Sequence, residues 1–189
     1  MKKKRIVVGV SGASGAALAV EVLRILQRAE EWEVHLVISK SAEETIRMET
    51  AFTPDEVGAL SDVRYDNADI GAAIASGTFR TEGMLIVPCS MKTLAGVASG
   101  YSDSLLLRAA DVTLKERRPL VLAVRETPLS AIHLKNMLTV TQAGACIVPP
   151  MISYYSSPQT VEEMTRHIAY KLLDRFDVPC EGFFRWGEE

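Results

Sequence analysis

The chain has 189 residues, of which 48% are hydrophobic and 24% are charged, so it is long enough to bury the core of one globular domain. A formal net charge of −3 gives no sign of a nucleic-acid-binding protein. No stretch approaches the ~20 apolar residues of a membrane-spanning helix, and no cleavage site follows the basic start Lys2–Arg5, so we expect neither a membrane protein nor a signal peptide.

Apolar runs and helical patterns alternate along the whole chain. Runs such as VVGV and LVLAV are nearly continuous, which is typical of parallel strands covered on both faces. The predicted strands are Arg5–Ser11, Glu33–Ser39, Met84–Cys89, Leu120–Arg125 and Ala145–Val148. The predicted helices are Gly15–Ala29, Ser41–Thr50, Pro54–Leu60, Thr93–Ala98, Ser102–Glu116, Ser130–Gln142 and Val161–Phe176. For the last helix, Thr160 and Glu163 also predict a capping box.

This alternation predicts a single doubly wound α/β domain over residues 1–189, with one mostly parallel sheet. In such folds the ligand lies beyond the carboxyl ends of the strands. The rule selects five segments rich in glycine, hydroxyls, proline or charge: Ser11–Gly15, Ser39–Lys40, Pro88–Thr93, Arg125–Pro128 and Pro149–Tyr155.

The first strand ends in a turn of small residues, VSGASGA, that leads into the first helix. Its glycines have the spacing G-x-x-G-x-x-G, which differs from the dinucleotide fingerprint, from a Walker loop and from a G-x-S-x-G nucleophile elbow. The second strand ends in Ser39-Lys40 and lacks the acidic residue that would bind a ribose. Two interpretations of the turn stay open: N–H groups that bind an anion or a ring edge at a helix N-terminus, or a tight turn needed only for packing.

A second loop, Pro88–Thr93, also joins a strand to a helix. Ser90, Lys92 and Thr93 bring hydroxyls, a positive charge and helix N-terminal amides to one place, which suits a phosphate. N-capping by Ser90 is the alternative, and it does not exclude phosphate binding. Two such loops favour a mononucleotide over a dinucleotide.

Charged residues mark two further places. Arg108 and Lys115 are seven residues apart on one predicted helix and therefore share a face, which a solvated surface would also explain. Arg125-Glu126 follows an apolar strand at the expected ligand edge, where the pair could bind a phosphate and transfer a proton. A local ion pair is the alternative.

The cysteines Cys89, Cys146 and Cys180 are far apart and form no CxxC pair. Their number and spacing indicate neither a metal site nor a disulfide framework, so we expect no metal and a reducing, cytoplasmic compartment. Cys89 is interpreted as a packing residue. The histidines, which are scattered through the sequence, receive no chemical role: His35, His133 and His167.

The sequence resembles the UbiX family of flavin prenyltransferases, long described as phenylacrylic acid or 3-octaprenyl-4-hydroxybenzoate decarboxylases. The resemblance spans essentially the whole chain and rests on VSGASGA, Ser39-Lys40, Glu49, PCSMKTLAG, RAADVTLKERRPLVLAVRETPLS and Tyr154-Tyr155. It implies a flavodoxin-like, Rossmann-type, three-layer subunit in a dodecamer. It also implies metal-independent transfer of a dimethylallyl group from dimethylallyl monophosphate to N5 and C6 of reduced FMN, making prenylated FMN for a UbiD-type decarboxylase.

The resemblance further implies roles for residues at matching positions. The FMN-binding residues would be Gly12, Ala13, Ser14, Ser39, Ser90, Met91, Lys92, Thr93 and Arg125. The donor would be bound by Arg108, Lys115, Tyr155 and Lys171, and catalysis would involve Ser14, Glu49 and Glu126. Many family members have arginine at the position of Lys171. Lysine keeps the charge but lacks the bidentate fork, which leaves the preference between monophosphate and diphosphate donors open.

Two other functions stay open: a decarboxylase that uses FMN directly, and a flavin carrier without catalytic activity. The sequence contains no Asp-rich motif to hold magnesium, so cationic side chains would have to neutralise a departing phosphate. The cationic residues near a strand-end glutamate favour the prenyltransferase, because a carrier requires no second phosphate site.

Overall fold

The computed structural model describes residues 3–187, which form one six-stranded sheet with helices on both faces. The strands are β1 Lys4–Val10, β2 Trp32–Ile38, β3 Val63–Tyr65, β4 Gly83–Cys89, β5 Leu120–Val124 and β6 Cys146–Ile147. The helices are α1 Ala16–Arg28, α2 Lys40–Glu49, α3 Pro54–Gly58, α4 Met91–Ser99, α5 Leu105–Lys115, α6 Ala131–Gln142 and α7 Val161–Leu173. Short 3-10 turns cover Ala73–Ala75 and Asp174–Phe176.

The strand order is β3-β2-β1-β4-β5-β6, and every neighbouring pair is parallel. Successive side chains of a strand point to opposite faces. Ile6 and Val8 therefore pack with α1 and α7, whereas Val7 packs with α4, α5 and α6. These contacts confirm the doubly wound α/β fold that the apolar runs predict and the three layers that the family resemblance implies.

The strand order reverses at β1, because the chain continues to β2 on one side of β1 and later returns to β4 on the other. The loops that follow β1 and β4 therefore lead away to opposite faces of the sheet. Such a reversal leaves a crevice at the carboxyl ends of the two strands, which is where open α/β sheets bind ligands.

The sequence analysis missed β3, which forms one edge of the sheet. This strand has only three residues, Val63–Tyr65, and the exposed Arg64 is at its centre. Short edge strands with charged residues are common because they discourage pairing with other chains, but they present no apolar run to detect.

The capping of α7 also differs from the prediction. The Thr160 hydroxyl accepts a hydrogen bond from the Glu163 N–H at 3.1 Å, as expected. The Glu163 carboxylate, however, accepts from the Gln159 N–H at 2.6 Å. The predicted capping box is therefore only half formed, whereas complete boxes that were not predicted start α3 and α6.

Two partly exposed polar side chains contact the buried His35, which is 2% exposed. Its Nε2 lies 2.9 Å from Glu33 Oε1 and its Nδ1 lies 2.9 Å from the Tyr65 hydroxyl. Burial lowers the pKa of His35, although the Glu33 carboxylate acts in the opposite direction. The folded state therefore favours the neutral imidazole.

We expect the free energy of unfolding to decrease as the pH falls below about 6.5, the ordinary pKa of histidine. In that range the unfolded chain binds a proton at His35 more readily than the folded chain does, which favours unfolding. Urea unfolding at pH 7.5 and pH 5.5 measures the decrease, which should be smaller in His35→Gln. An equal decrease in both proteins would assign the pH dependence to other groups.

Candidate functional site

A cavity of about 330 Å³ lies at the carboxyl ends of β1, β2 and β4, beside the start of α5. It is lined by five of the predicted site residues: Gly12, Ser39, Ser90, Lys92 and Thr93. The cavity also faces the starts of α2 and α4, whose N-caps are Ser39 and Ser90. The crevice expected from the strand order therefore exists and contains the predicted loops.

The cavity combines groups that bind anions. The Ser90 hydroxyl accepts from the Thr93 N–H at 3.2 Å, so this serine is an N-cap and a cavity residue at once. Lys40 and Lys92 also line the cavity, and neither forms an ion pair with a described carboxylate. Helix N-termini, hydroxyls and unpaired ammonium groups together suit a phosphate.

Ser11 joins the opening turn to the second loop. Its side chain is buried, and its hydroxyl donates to the Pro88 carbonyl and accepts from the Ser90 N–H, both at 2.8 Å. Ser11 is therefore a structural residue that fixes the end of β1 against the end of β4.

The glycines of the opening turn have packing roles. A Cβ atom at Gly12 would lie 2.4 Å from the Ser41 Cβ, so only glycine permits this approach of the turn to α2. Gly15 has a φ of +120°, a conformation that other residues rarely adopt. Packing therefore requires glycine at both positions.

We expect Gly12→Ala to destabilise the protein by about 1–3 kcal/mol, because the new methyl group must displace Ser41 and the start of α2. Chemical unfolding measures the change. Gly71→Ala is the matched control, since its Cβ would meet only Asp69 Oδ1, at 3.5 Å. Equal stability of the two variants would contradict the packing role of Gly12.

The side chain of Glu49 caps the N-terminus of α1. Its Oε2 accepts from the N–H groups of Gly15 at 2.8 Å and Ala16 at 2.9 Å. The anion that these N–H groups bind is therefore a carboxylate of the chain itself.

Glu49 is ionised at neutral pH. Burial disfavours its charged form, but hydrogen bonds from Gly15, Ser14 and Ala16, together with the positive charge of Arg125, outweigh burial and lower its pKa. A carboxylate with a lowered pKa is a weak proton acceptor. Its contacts instead favour a role in orienting Ser14 beside Arg125.

Arg125 and Glu126 follow β5 at the same edge of the sheet. The Arg125 N–H donates to the Cys89 carbonyl at 3.0 Å, which places this residue next to the second loop. The Glu126 Oε1 accepts from the Thr127 N–H at 2.9 Å. Within residues 3–187 the two side chains form no ion pair with each other, so the local-pair interpretation is wrong.

Comparison with known proteins identifies the family. The model of the Flavoprotein family matches residues 1–170. A probable UbiX-like flavin prenyltransferase of Streptomyces sp. (strain D7) is 53% identical over 96% of this chain and 91% of its own length. The flavin prenyltransferase UbiX of Salmonella typhimurium is 50% identical over 97% of this chain and 98% of its own. The chain belongs to the UbiX family.

Solved UbiX structures have the same fold. AnUbiX (PadA1), in complex with FMN and dimethylallyl pyrophosphate, is 49% identical, with a TM-score of 0.96 over 100% of both chains. A dodecameric FMN-dependent UbiX-like decarboxylase of Escherichia coli O157:H7 is 48% identical, with a TM-score of 0.95 over 96% of this chain and 98% of its own. These findings confirm the resemblance noted in the sequence.

Four residues that the UbiX resemblance assigns to the donor lie outside the cavity. Arg108 pairs with Asp111 at 2.6 Å and Lys115 pairs with Glu116 at 2.5 Å. Lys115 is the last residue of α5 and lies about 15 Å along the helix from the end that lines the cavity. It is therefore near the amino ends of the strands, whereas the cavity is at their carboxyl ends. The shared face predicted for the two cations therefore does not bring both to the cavity of their own subunit.

The other two are Tyr155, which packs against α7, and Lys171, which is an exposed residue of that helix. The Tyr155 ring packs edge-on against His167, with 5.8 Å between the ring centroids, and contacts Phe184 and Trp186. Burial, and then the charge of Lys171 one turn further along the helix, lower the pKa of His167. The sequence analysis assigned no role to His167, but this residue lies close to two predicted donor-binding residues, Tyr155 and Lys171.

The cavity has five further polar residues that were not among the predicted site residues: Lys40, Ser41, Asn67, Asp103 and Ser104. Of these, only Lys40 belongs to a segment that the strand-end rule selected. Asn67 follows the missed strand β3 by two residues. Recognition of that strand would have extended the strand-end rule to Asn67.

Cys89 is buried, which agrees with its predicted packing role. Burial also raises the pKa of its thiol to about 12, so the thiol stays protonated at neutral pH. Between residues 3 and 187, no group of three or more His, Cys, Asp or Glu side chains is placed to hold a metal ion. None of the helices in this range is both long and apolar enough to cross a membrane.

Proposed function

We propose that this chain is a flavin prenyltransferase that joins a dimethylallyl group from dimethylallyl monophosphate to N5 and C6 of reduced FMN. Bound reduced FMN supplies the nucleophilic N5 and C6, and the product, prenylated FMN, serves a UbiD-type decarboxylase. The observation that carries the proposal is the cavity at the carboxyl ends of β1 and β4, with the loop Ser90–Thr93 on its wall. The chain that forms it is 50% identical in sequence to a named UbiX prenyltransferase.

The phosphate of FMN is assigned to the start of α4, where the proposal uses Ser90, Met91, Lys92 and Thr93. The flavin is assigned to the turn after β1, with Gly12, Ala13 and Ser14, and to Ser39 and Arg125. Two observations support this division. The N–H groups of Gly15 and Ala16 already bind Glu49. Lys40 and Lys92, by contrast, line the cavity and have no carboxylate partner among the described residues.

Two acids have different roles in the proposal. Ionised Glu49 holds Ser14 in place through the hydrogen bond that also lowers the pKa of this carboxylate. Glu126 is exposed, and only its Oε1 has a partner among the described residues. Its other oxygen is therefore available to transfer a proton to or from the substrates.

The donor phosphate is assigned to Arg108, Lys115, Tyr155 and Lys171 of neighbouring subunits, because one subunit does not bring these residues to its own cavity. Their positive charges and hydroxyl would neutralise the departing phosphate without a metal. The proposal therefore requires a homo-oligomer, and a dodecamer is the assembly found in the relative from Escherichia coli O157:H7. A reducing cytoplasm, which suits the three free thiols, is the proposed compartment.

Helix α6 has the surface that such an assembly requires. Its side chains Ile132, Leu134 and Leu138 are 70%, 53% and 59% exposed, and only Val140 of this helix is buried. A helix that is apolar on its solvent side is typical of a protein–protein interface. We assign this surface, Ile132–Leu138, to contacts between copies of the chain.

Mass spectrometry tests the proposed function. The purified protein is incubated anaerobically with reduced FMN and either dimethylallyl monophosphate or dimethylallyl pyrophosphate, with and without magnesium. We expect flavin carrying one added prenyl group without magnesium. Absence of the adduct with both donors would contradict the proposal, and release of CO2 from an aromatic acid by this protein alone would favour a direct decarboxylase.

A further inference from the structure

Four polar residues lie where two cavities meet: Lys40 at the start of α2, and three residues near the start of α5. Asn67, Asp103 and Ser104 line the cavity of about 330 Å³ described above and also line a neighbouring cavity of about 670 Å³. They come from the segment after β3 and from the start of α5, opposite the loop Ser90–Thr93.

The carboxamide of Asn67 is held in one orientation. Its backbone carbonyl accepts from the Leu105 N–H at 2.9 Å, and its Oδ1 accepts from the Leu106 N–H at 3.0 Å. Asn67 therefore caps α5 with both oxygens, and its Nδ2 carries two N–H groups that have no acceptor in the described part of the chain. Because Oδ1 is fixed, the direction of these donors is fixed as well.

Asp103 and Ser104 add groups of the opposite kind. Ser104 is the N-cap of α5, but its side chain forms no capping hydrogen bond. The exposed Asp103 has no ion pair with any cation among residues 3–187. The three side chains thus offer a donor, an acceptor and a hydroxyl that can do both.

This combination suits alcohol groups better than a phosphate. A hydroxyl both donates and accepts, so it can pair with an amide N–H and a carboxylate at once. A phosphate, by contrast, would be repelled by Asp103 and is better held by Lys92 and the start of α4. In FMN the phosphate and the flavin ring are joined by a ribityl chain with three hydroxyl groups.

We propose that Asn67, Asp103 and Ser104 bind the ribityl hydroxyls of FMN. The inference rests on the proposed function, which puts the phosphate at Ser90–Thr93 and the ring at Gly12–Ser14. The ribityl chain must then cross the cavity between these two loops, and these three side chains have unused polar groups on its wall. They are binding residues that select a polyol and that position the ring through it.

Asn67→Asp is the decisive variant. Aspartate keeps an oxygen for the Leu106 N–H and therefore keeps the cap of α5, but it loses both N–H donors. Calorimetric titration of the full chain with three oxidised flavins separates the contributions, because riboflavin lacks the phosphate and lumiflavin lacks the ribityl chain as well. We expect binding of FMN and riboflavin to weaken about tenfold and binding of lumiflavin to stay unchanged.

The other variants exclude indirect effects. Asp103→Asn should weaken riboflavin binding several-fold and FMN binding less, because it also removes a negative charge near the phosphate. Gln27→Glu, the same change from amide to acid at an exposed position of α1, is the matched control. Thermal melting without ligand shows whether each variant keeps the stability of the parent chain. If Asn67→Asp fails to fold, Ser104→Ala and Asp103→Asn still test the ribityl contacts.

The outcomes distinguish the two proposals. Wild-type affinity for riboflavin in both Asn67→Asp and Asp103→Asn would overturn the ribityl assignment and leave the proposed function standing. A loss confined to FMN in Asn67→Asp would also overturn it, since that pattern reports only charge repulsion of the phosphate. Failure of the parent protein to bind any of the three flavins would overturn the proposed function and the inference that rests on it.

Discussion

Replacing Glu49 with glutamine is expected to slow prenyl transfer by about 100-fold while FMN remains bound. Glutamine can accept one hydrogen bond from the Gly15 or Ala16 N–H, but it removes the negative charge that faces Arg125 and weakens the contact with Ser14. Ser14 then loses its fixed position beside the flavin. Single-turnover assays with reduced FMN measure the rate, and a separate FMN titration measures binding.

Glu44→Gln is the control for this variant, because Glu44 is an exposed acid on the same helix and has no described partner. A Glu49→Gln rate equal to that of Glu44→Gln would remove Glu49 from the mechanism. The lowered pKa of Glu49 adds a second check. Because the carboxylate stays charged until the pH falls below the usual range of glutamate, its protonation should not limit the rate between pH 6 and pH 8.

The double variant Leu134→Lys, Leu138→Lys is expected to dissociate the assembly and to abolish turnover. Both side chains are more than half exposed on α6, and burial of two ammonium groups in an apolar contact costs several kcal/mol. Separated subunits would keep the cavity but lose the donor-binding side chains of their neighbours. Light scattering measures the mass of the assembly, and mass spectrometry measures prenylated FMN in the same sample.

Gln142→Lys, an exposed polar position on the same helix, is the matched control and should retain both mass and activity. Full activity in a protein that has become monomeric would contradict the assignment of donor-binding residues to neighbouring subunits. Unchanged mass in the double variant would show that α6 is not the contact surface.

The strand ends that form the cavity could be predicted because the rule behind them is simple. A buried parallel strand leaves an apolar run, and the polar residues just after it must lie at the ligand edge. Ser39, Ser90 and Thr93 follow such runs and indeed line one cavity. The edge strand β3 has only three residues and no apolar run, so Asn67, which follows it, could not be placed.

Contacts between distant segments could not be predicted either, because they leave no local pattern in the sequence. Glu49 and Gly15 are 34 residues apart, and nothing in either segment shows that the carboxylate reaches the start of α1. Helical spacing places Arg108 and Lys115 on one face, but not at one edge of the sheet. Their roles therefore came from family resemblance, and the single subunit shows why periodicity could not supply them.

Ser11 makes the two halves of the site thermodynamically dependent on each other. Its hydroxyl bonds to both the carbonyl of Pro88 and the N–H of Ser90, so a movement of the turn after β1 is transmitted to the loop Ser90–Thr93. Substitutions in the two loops should therefore show non-additive effects on flavin affinity, with a coupling energy of about 0.5–3 kcal/mol. Under the proposed function, a phosphate bound at Ser90–Thr93 would thus stiffen the turn at Ser14 before the donor arrives.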